Sequence, residues 1–335
     1  MKTYMYKDSV YSFEGNISLQ VETDWVMPWR IDYAKRDFYP FLTNERAKQC
    51  AGIRLCFTTS SRNIILNMTD IEAGTKLDLV VNNAFDRQVV LENTCEKICF
   101  EKLSEGLKQI EIWLDPEYTF KLKNITIDDD AIIYKTVNTK KKWVHYGSSI
   151  SHSRLAEFQQ DKFPSKIWTA LVAQKMNLHL TNLGFGGNCV IEPMIGRLIR
   201  DLPADYITLK LGINVYTGAL MARTFSPNVI GLIQIIREKH PTTPLALISP
   251  ICSPPREKVI AEKGDLTLEQ MRSIHEGIVK SCTKYGDSNI YYVDGLKVFG
   301  YDEVKYMPDK LHPNTEGQLV LAENFIKEVF GRFYS

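Results

Sequence analysis

Four short stretches of this 335-residue chain carry residue types that can do chemistry together. Gly147-Ser148-Ser149-Ile150 offers hydroxyls, and Asn182-Leu183-Gly184-Phe185-Gly186-Gly187 offers backbone N–H groups in a glycine-rich turn. Gly212-Ile213-Asn214 ends in a side-chain amide. Asp309-Lys310-Leu311-His312 sets a carboxylate three residues before an imidazole. A serine hydroxyl is a poor nucleophile until a base removes its proton. An imidazole oriented by a carboxylate is such a base. Fixed N–H donors stabilise the oxyanion that forms when a carbonyl is attacked. These are the components of acyl transfer through a serine.

Each candidate has a plainer reading. Ser149 is the expected nucleophile and Ser148 its rival, since either hydroxyl can simply cap a helix. His312 is the expected base, because among six histidines it alone has an acid three residues earlier. Asp309 then fixes its tautomer. Gly187 offers an N–H with no Cβ in the way, Asn214 a side-chain N–H, and Ser149 its own backbone N–H. His152 lies one helical turn after Ser149 and is read as a wall or substrate contact. Cys189 has no base paired with it in sequence and reads as a small pocket-lining residue. A dinucleotide fingerprint fails at the glycine turn, where Val190 stands near the place of a third glycine. A Gly-x-Ser-x-Gly elbow fails at Ser151.

The elements that must position these residues fall into two rhythms. From Met1 to about Lys140 the pattern alternates, most clearly in Lys108–Leu114 and Tyr118–Ile127. Further strand-like runs lie at Ile17–Val21, Ile53–Phe57, Ile64–Met68, Leu77–Val81 and Gln88–Leu91, with almost no helical period. Many short strands at this spacing imply a β-sandwich of jelly-roll type. From Lys141 onward, strand and helix alternate. Strands are expected at Trp143–Tyr146, Leu178–Leu183, Tyr206–Leu211, Leu245–Ile248 and Ile290–Val293. Helices are expected around Ile167–Val172 and from Ser226-Pro227 through Ile236. Two more follow, one behind the capping box Thr267–Gln270 and one from Thr315 along Leu319, Ala322, Ile326 and Phe330. This rhythm implies a parallel sheet with helices on both faces, and such sheets bind ligands beyond the strand C-termini. All four stretches fall there. The chain thus divides into residues 1–140 and 141–335. The segment 249–266 reads as a long loop over the site, and its Arg256 is a candidate contact for an anionic or sugar substrate.

The charge balance, 41 basic against 40 acidic residues, argues against nucleic acid or an anionic membrane as partner. Seven cysteines without metal-like spacing imply reduced thiols. No apolar leader opens the sequence, so a cytoplasmic location is expected and the sequons at Asn16, Asn67 and Asn124 carry no message. Trp25, Trp29 and Trp113 can form a sugar-stacking face, with core packing the plainer reading.

In order and spacing the four stretches resemble the blocks of the SGNH (GDSL-type) hydrolases, over about Trp143 to Phe330. Gly147-Ser148-Ser149-Ile150 is similar to the first block, with Ser148 where that family has Asp. Gly212-Ile213-Asn214 is similar to the third, with Val215 in place of the following Asp. The resemblance implies a flavodoxin-like three-layer α/β/α domain of strand order 2-1-3-4-5. It also implies Ser149, His312 and Asp309 as catalytic groups, with Gly187, Asn214 and Ser149 as oxyanion donors, and neither metal nor cofactor. The expected activity is hydrolysis of short acyl esters, acetyl above all, on a small-molecule or carbohydrate alcohol. An acyltransferase with the same residues, and a carbohydrate-binding protein that has lost catalysis, stay open. Oligomeric state is not legible.

Overall fold

The computed structural model describes residues 1–153 and 163–333. The chain forms two compact units, Met1–Thr139 with Lys162–Ser165, and Lys140–Asp161 with Lys166–Ser335.

The first unit is built from short strands: β1 Lys2–Tyr4, β2 Ser12–Glu14, β3 Ser18–Val21 and β4 Val26–Trp29. After a helix α1, Phe41–Ala47, come β5 Arg54–Thr59, β6 Ile64–Ile71, β7 Lys76–Val81 and β8 Ala84–Val90. The last four are β9 Cys95–Phe100, β10 Lys108–Trp113, β11 Leu122–Ile127 and β12 Ile133–Tyr134. One antiparallel sheet runs β3-β4-β11-β6-β9, with β1 also on β11; the other runs β12-β5-β10-β7-β8, with β2 also on β5. Alternate residues of both sheets meet in one core. Leu66, Phe100 and Ile125 come from the first sheet, and Phe57, Leu79 and Ile112 from the second. This is the β-sandwich that the alternation implied.

Two details differ from the sequence reading. Tyr118–Lys121 lies outside β11, because the alternation there continues through a turn. The helix α1 has no apolar stripe and buries only Thr43 and Ala47, so no period announced it. Trp29 and Trp113, at 3% and 2% exposed, belong to core packing, the plainer of their two readings. Asn67 donates to the Asn124 amide oxygen at 2.7 Å across β6 and β11, so two of the sequon asparagines are paired with each other.

The second unit carries the parallel sheet. Its strands are β13 Lys141–Gly147, β14 Leu178–Gly184, β15 Tyr206–Lys210, β16 Leu245–Ile248 and β17 Ile290–Val293. They run β14-β13-β15-β16-β17, which is the order 2-1-3-4-5. The helices are α2 Ser149–His152, α3 Trp168–Lys175, α4 Pro193–Asp201, α5 Ala222–Arg237, α6 Leu268–Lys284, α7 Gly295–Val298 and α8 Thr315–Phe325. α3 packs on α8, while α4 packs on α5 and α5 on α6. β15 and β16 are buried along their whole length and β13 and β14 along most of theirs, which is why they do not read as alternating. Among the described residues, no helix is long and apolar enough to cross a membrane.

Two helix readings need correction. α5 starts at Ala222, not at Ser226-Pro227. Pro227 lies inside the helix, where its missing N–H removes a single backbone bond on an exposed stretch. In α8, Leu319 is 46% exposed; the buried face carries Gln318, Leu321, Ala322 and Phe325. The helix then widens into a π-helical turn at Ile326–Phe330, which buries Val329 and Phe330. A fixed 3.6-residue stripe drawn back from Phe330 therefore lands on the wrong face.

Candidate active site

The sheet ends create the site. β13 and β14 finish in register at Gly147 and Gly184. A Cβ on Gly147 would sit 2.3 Å from Ser151 Oγ, and one on Gly184 2.3 Å from the His152 amide nitrogen. Both strands must end in glycine for α2 to settle this closely against them. Ser148 is the N-cap of α2: it is fully buried and its Oγ accepts the Ile150 N–H at 3.4 Å. Ser149 is the first helical residue, and its hydroxyl lies 2.8 Å from His312 Nε2.

Asp309 organises the turn that delivers this imidazole. Its Oδ1 accepts the N–H groups of Leu311 at 3.0 Å and His312 at 2.7 Å. Its Oδ2 lies 2.6 Å from His312 Nδ1. Burial pushes the Asp309 carboxyl up, but the hydrogen bonds from His312 and Leu311 outweigh it and hold the group below the usual carboxylate range. An ionised Asp309 accepts only, so Nδ1 carries the proton and Nε2 accepts the Ser149 hydroxyl. Lys310, between the two groups, has φ +59° in the left-handed region, a conformation that costs a lysine about 1–2 kcal/mol.

The donor side comes from the neighbouring strands. Gly187 follows β14 with φ +75°, and the space around its Cα is open. Any other residue would be strained there. Asn214 follows β15. Its Oδ1 accepts the Cys189 N–H at 3.0 Å, which turns Nδ2 away as a donor. Since β13 lies between β14 and β15, Ser149, Gly187 and Asn214 stand at three adjacent strand ends. Cys189 is 1% exposed, and burial pushes its thiol up to about 12, which leaves it unionised.

Behind this front lies a buried polar layer. His152, anticipated as a wall or substrate contact, is fully buried, and its Nδ1 accepts the Gly186 N–H at 3.2 Å. It braces the glycine turn from behind. Asn182 donates to Ser151 O at 2.8 Å and accepts the Gly184 N–H at 2.8 Å. His145 spans Thr208 Oγ1 and Ser151 Oγ at 2.7 Å each. Burial, with Lys210 nearby, drives its pKa well down, so this imidazole is neutral. Arg256 donates to Ser253 Oγ at 2.9 Å and is half-buried. A cavity of about 540 Å³ lined by Ile230, Arg237 and Tyr285 among others contains none of these residues.

Residues 140–329 match the family model described as GDSL-like lipase/acylhydrolase. The chain belongs to that family. Residues 11–123 match a second model, the N-terminal domain of SsfX3. Among solved structures, the salicylyl-acyltransferase SsfX3 from a tetracycline biosynthetic pathway is similar at a TM-score of 0.91 and 30% identity, over 99% of this chain and 97% of that one. A putative GDSL-like lipase from Bacteroides ovatus has a TM-score of 0.79 at 19% identity, covering 98% of both chains. A family two carbohydrate esterase from Clostridium thermocellum has a TM-score of 0.69 at 13% identity, over 96% of this chain and 99% of that one. At those two identities the likeness is one of fold. A search of curated protein sequences gives no match. Solved structures that share this GDSL-like protein's architecture thus include both an acyltransferase and an esterase.

Proposed function

We propose that the protein is a serine esterase that cleaves short-chain acyl esters, acetyl above all, of a polar or carbohydrate alcohol. One observation carries the reading: the unbroken chain from Ser149 Oγ to His312 Nε2, 2.8 Å, and from His312 Nδ1 to Asp309 Oδ2, 2.6 Å.

In this reading the Ser149 oxygen attacks the ester carbonyl as its proton passes to His312 Nε2. Asp309 stabilises the imidazolium by accepting from Nδ1. The carbonyl oxygen becomes an oxyanion, held by the N–H groups of Ser149 and Gly187 and by Asn214 Nδ2. The tetrahedral intermediate collapses to acyl-Ser149, and the leaving alcohol takes the proton from Nε2. Water then repeats the sequence, giving the acid and the free serine. Ser148 is buried with its Oγ on the Ile150 N–H, while the Ser149 hydroxyl lies on His312 Nε2, which supports Ser149 as the nucleophile. Small and polar strand ends favour short acyl groups, and a half-buried Arg256 favours a polar alcohol over a lipid tail.

A second reading has one specific support, the 30% identical salicylyl-acyltransferase. An acceptor hydroxyl then replaces water in the second half, with the same residues. The experiment is a p-nitrophenyl ester series from acetate to palmitate, run with and without sugar or phenolic acceptors, together with fluorophosphonate labelling. The esterase reading expects kcat/KM to peak at acetyl to butyryl and the adduct to map to Ser149. It expects Ser149→Ala to lose turnover and labelling, and Ser148→Ala to keep both. A peak at octanoate or beyond refutes the short-chain assignment, an adduct on Ser148 refutes the nucleophile, and acyl transfer outrunning hydrolysis selects the second reading.

A further inference from the structure

The turn that carries Asp309 and His312 is strained at Lys310, and something must hold it. Its own carboxylate bonds fix the Leu311 and His312 N–H groups but leave the Lys310 carbonyl to be met from elsewhere. Ser253, in the proline-rich loop after β16, meets it: Ser253 Oγ lies 2.7 Å from Lys310 O. The direction is fixed by chemistry. Arg256 Nη1 lies 2.9 Å from the same Oγ, and a guanidinium only donates. Ser253 therefore accepts from Arg256 and gives its own proton to Lys310 O.

Ser253 is itself anchored. It is 1% exposed, and its N–H donates to Glu257 Oε1 at 2.8 Å. Glu257 is gripped by both terminal nitrogens of Arg272, at 2.6 and 2.9 Å. Arg272 belongs to α6, and its Nε donates to Pro250 O at 2.9 Å. Both members of this ion pair are buried, 9% and 7% exposed at the side chain. Every link has a partner at each end, which is what makes a buried polar chain rigid. It runs from α6 through the loop after β16 to the backbone between Asp309 and His312.

We propose that Ser253 is a positioning residue for His312, holding the left-handed Lys310 turn through its hydroxyl while the Glu257–Arg272 pair holds Ser253. The proposal rests on the serine-esterase reading of the site for its kinetic consequence only. A misplacement of about 1 Å in a catalytic group can cost on the order of 100-fold in rate.

The test compares Ser253→Ala, Ser253→Thr and the double variant Ser253→Ala/Lys310→Gly. Two readouts are taken, steady-state kinetics on p-nitrophenyl acetate and the deshielded proton resonance of His312 Nδ1–H, assigned by its loss in His312→Gln. Ser253→Ala is expected to lower kcat about 10- to 100-fold with KM nearly unchanged, and to broaden the resonance. Ser253→Thr keeps the hydroxyl and keeps both readouts. Adding Lys310→Gly to Ser253→Ala recovers kcat and a sharp resonance, because glycine takes the left-handed turn unaided. A loss of bulk stability alone would not be repaired by that glycine. Ser253→Ala with a sharp resonance, or a double variant no better than Ser253→Ala, overturns the proposal. If Ser253→Ala does not fold, Arg272→Lys replaces it, with a broadened or unchanged resonance deciding in the same way. The resonance needs no substrate, so a wild-type protein inert on every ester would count against the esterase reading while still deciding the role of Ser253.

Discussion

Replacing Asn214 separates the proposed oxyanion donor from a structural acceptor, because the proposal gives its two amide atoms different duties. Oδ1 accepts the N–H of the buried Cys189, and in the proposed mechanism Nδ2 donates to the oxyanion. Asn214→Ala removes both. The loss of one oxyanion donor costs about 10²–10³ in kcat, or about 2.7–4 kcal/mol, with KM little changed. The orphaned Cys189 N–H costs a further amount of stability, about 1–3 kcal/mol. In a domain of this size that lowers Tm by about 2–4 °C for each kcal/mol. Asn214→Asp restores the acceptor without the donor. Tm should then return toward the wild-type value, while kcat stays as low as in the alanine variant or falls further, since a carboxylate faces the oxyanion. The assay is kcat and KM on p-nitrophenyl acetate beside a thermal melt of each variant. An aspartate variant that recovers kcat along with Tm would refute the assignment and leave Asn214 as a turn former.

Three further outcomes are expected. His312→Gln should abolish turnover, and Asp309→Asn should lower kcat by up to about 10⁴-fold, because an amide nitrogen cannot accept from Nδ1; an Asp309→Asn variant within tenfold of wild type would show that the carboxylate does not set the tautomer. His275 on α6 is fully buried, has no hydrogen-bond partner at either ring nitrogen among the described residues, and is pushed by burial from 6.5 down to about 3. Its folded-state value is depressed, so its neutral form is no handicap above 6.5 and stability is lost as pH falls toward 3, by at most about 5 kcal/mol. His275→Leu should flatten that acid slope in urea denaturation at pH 4.5 and 7, and an unchanged slope would count against it.

The parts of the site that were legible in the sequence are those joined by short spacing or by a strand end. Asp309 and His312 are three residues apart, and the distance between their atoms follows from one turn. The expected strand ends at Tyr146, Leu183 and Leu211 fall within one residue of the observed ones, because buried strands leave apolar runs that stop at a small residue, here Gly147, Gly184 and Gly212. Ser253 could not be found this way. Its partner Lys310 is 57 positions away, and a serine beside two prolines reads as loop. His152 was misjudged for a related reason: sequence distance placed it near Ser149, but which side of a four-residue helix it occupies depends on how closely β14 packs. The start of α5 and the exposed Leu319 failed where a local signal, a proline or an assumed period, was overridden by packing.

The two departures from the family pattern have physical explanations. The residue before Ser149 caps α2, and what the cap needs is a short side chain with an oxygen for the Ile150 N–H. Serine supplies that as well as aspartate does. It is buried, and the imidazole's hydrogen bonds go to Ser149 and Asp309, so the change from acid to hydroxyl leaves those partners in place. Val215 is 1% exposed, and its N–H donates to Gly212 O at 2.8 Å. The turn that presents Asn214 is therefore closed by backbone, and the side chain after it contributes burial. A carboxylate at that position would have to be desolvated beside an apolar core, which costs several kcal/mol without a partner. The orientation of Asn214 depends on Cys189 instead, through a backbone N–H that any residue at 189 other than proline would supply. The blocks that matter to the chemistry are thus fixed by main-chain geometry at the strand ends, which is why two changed letters leave the arrangement intact.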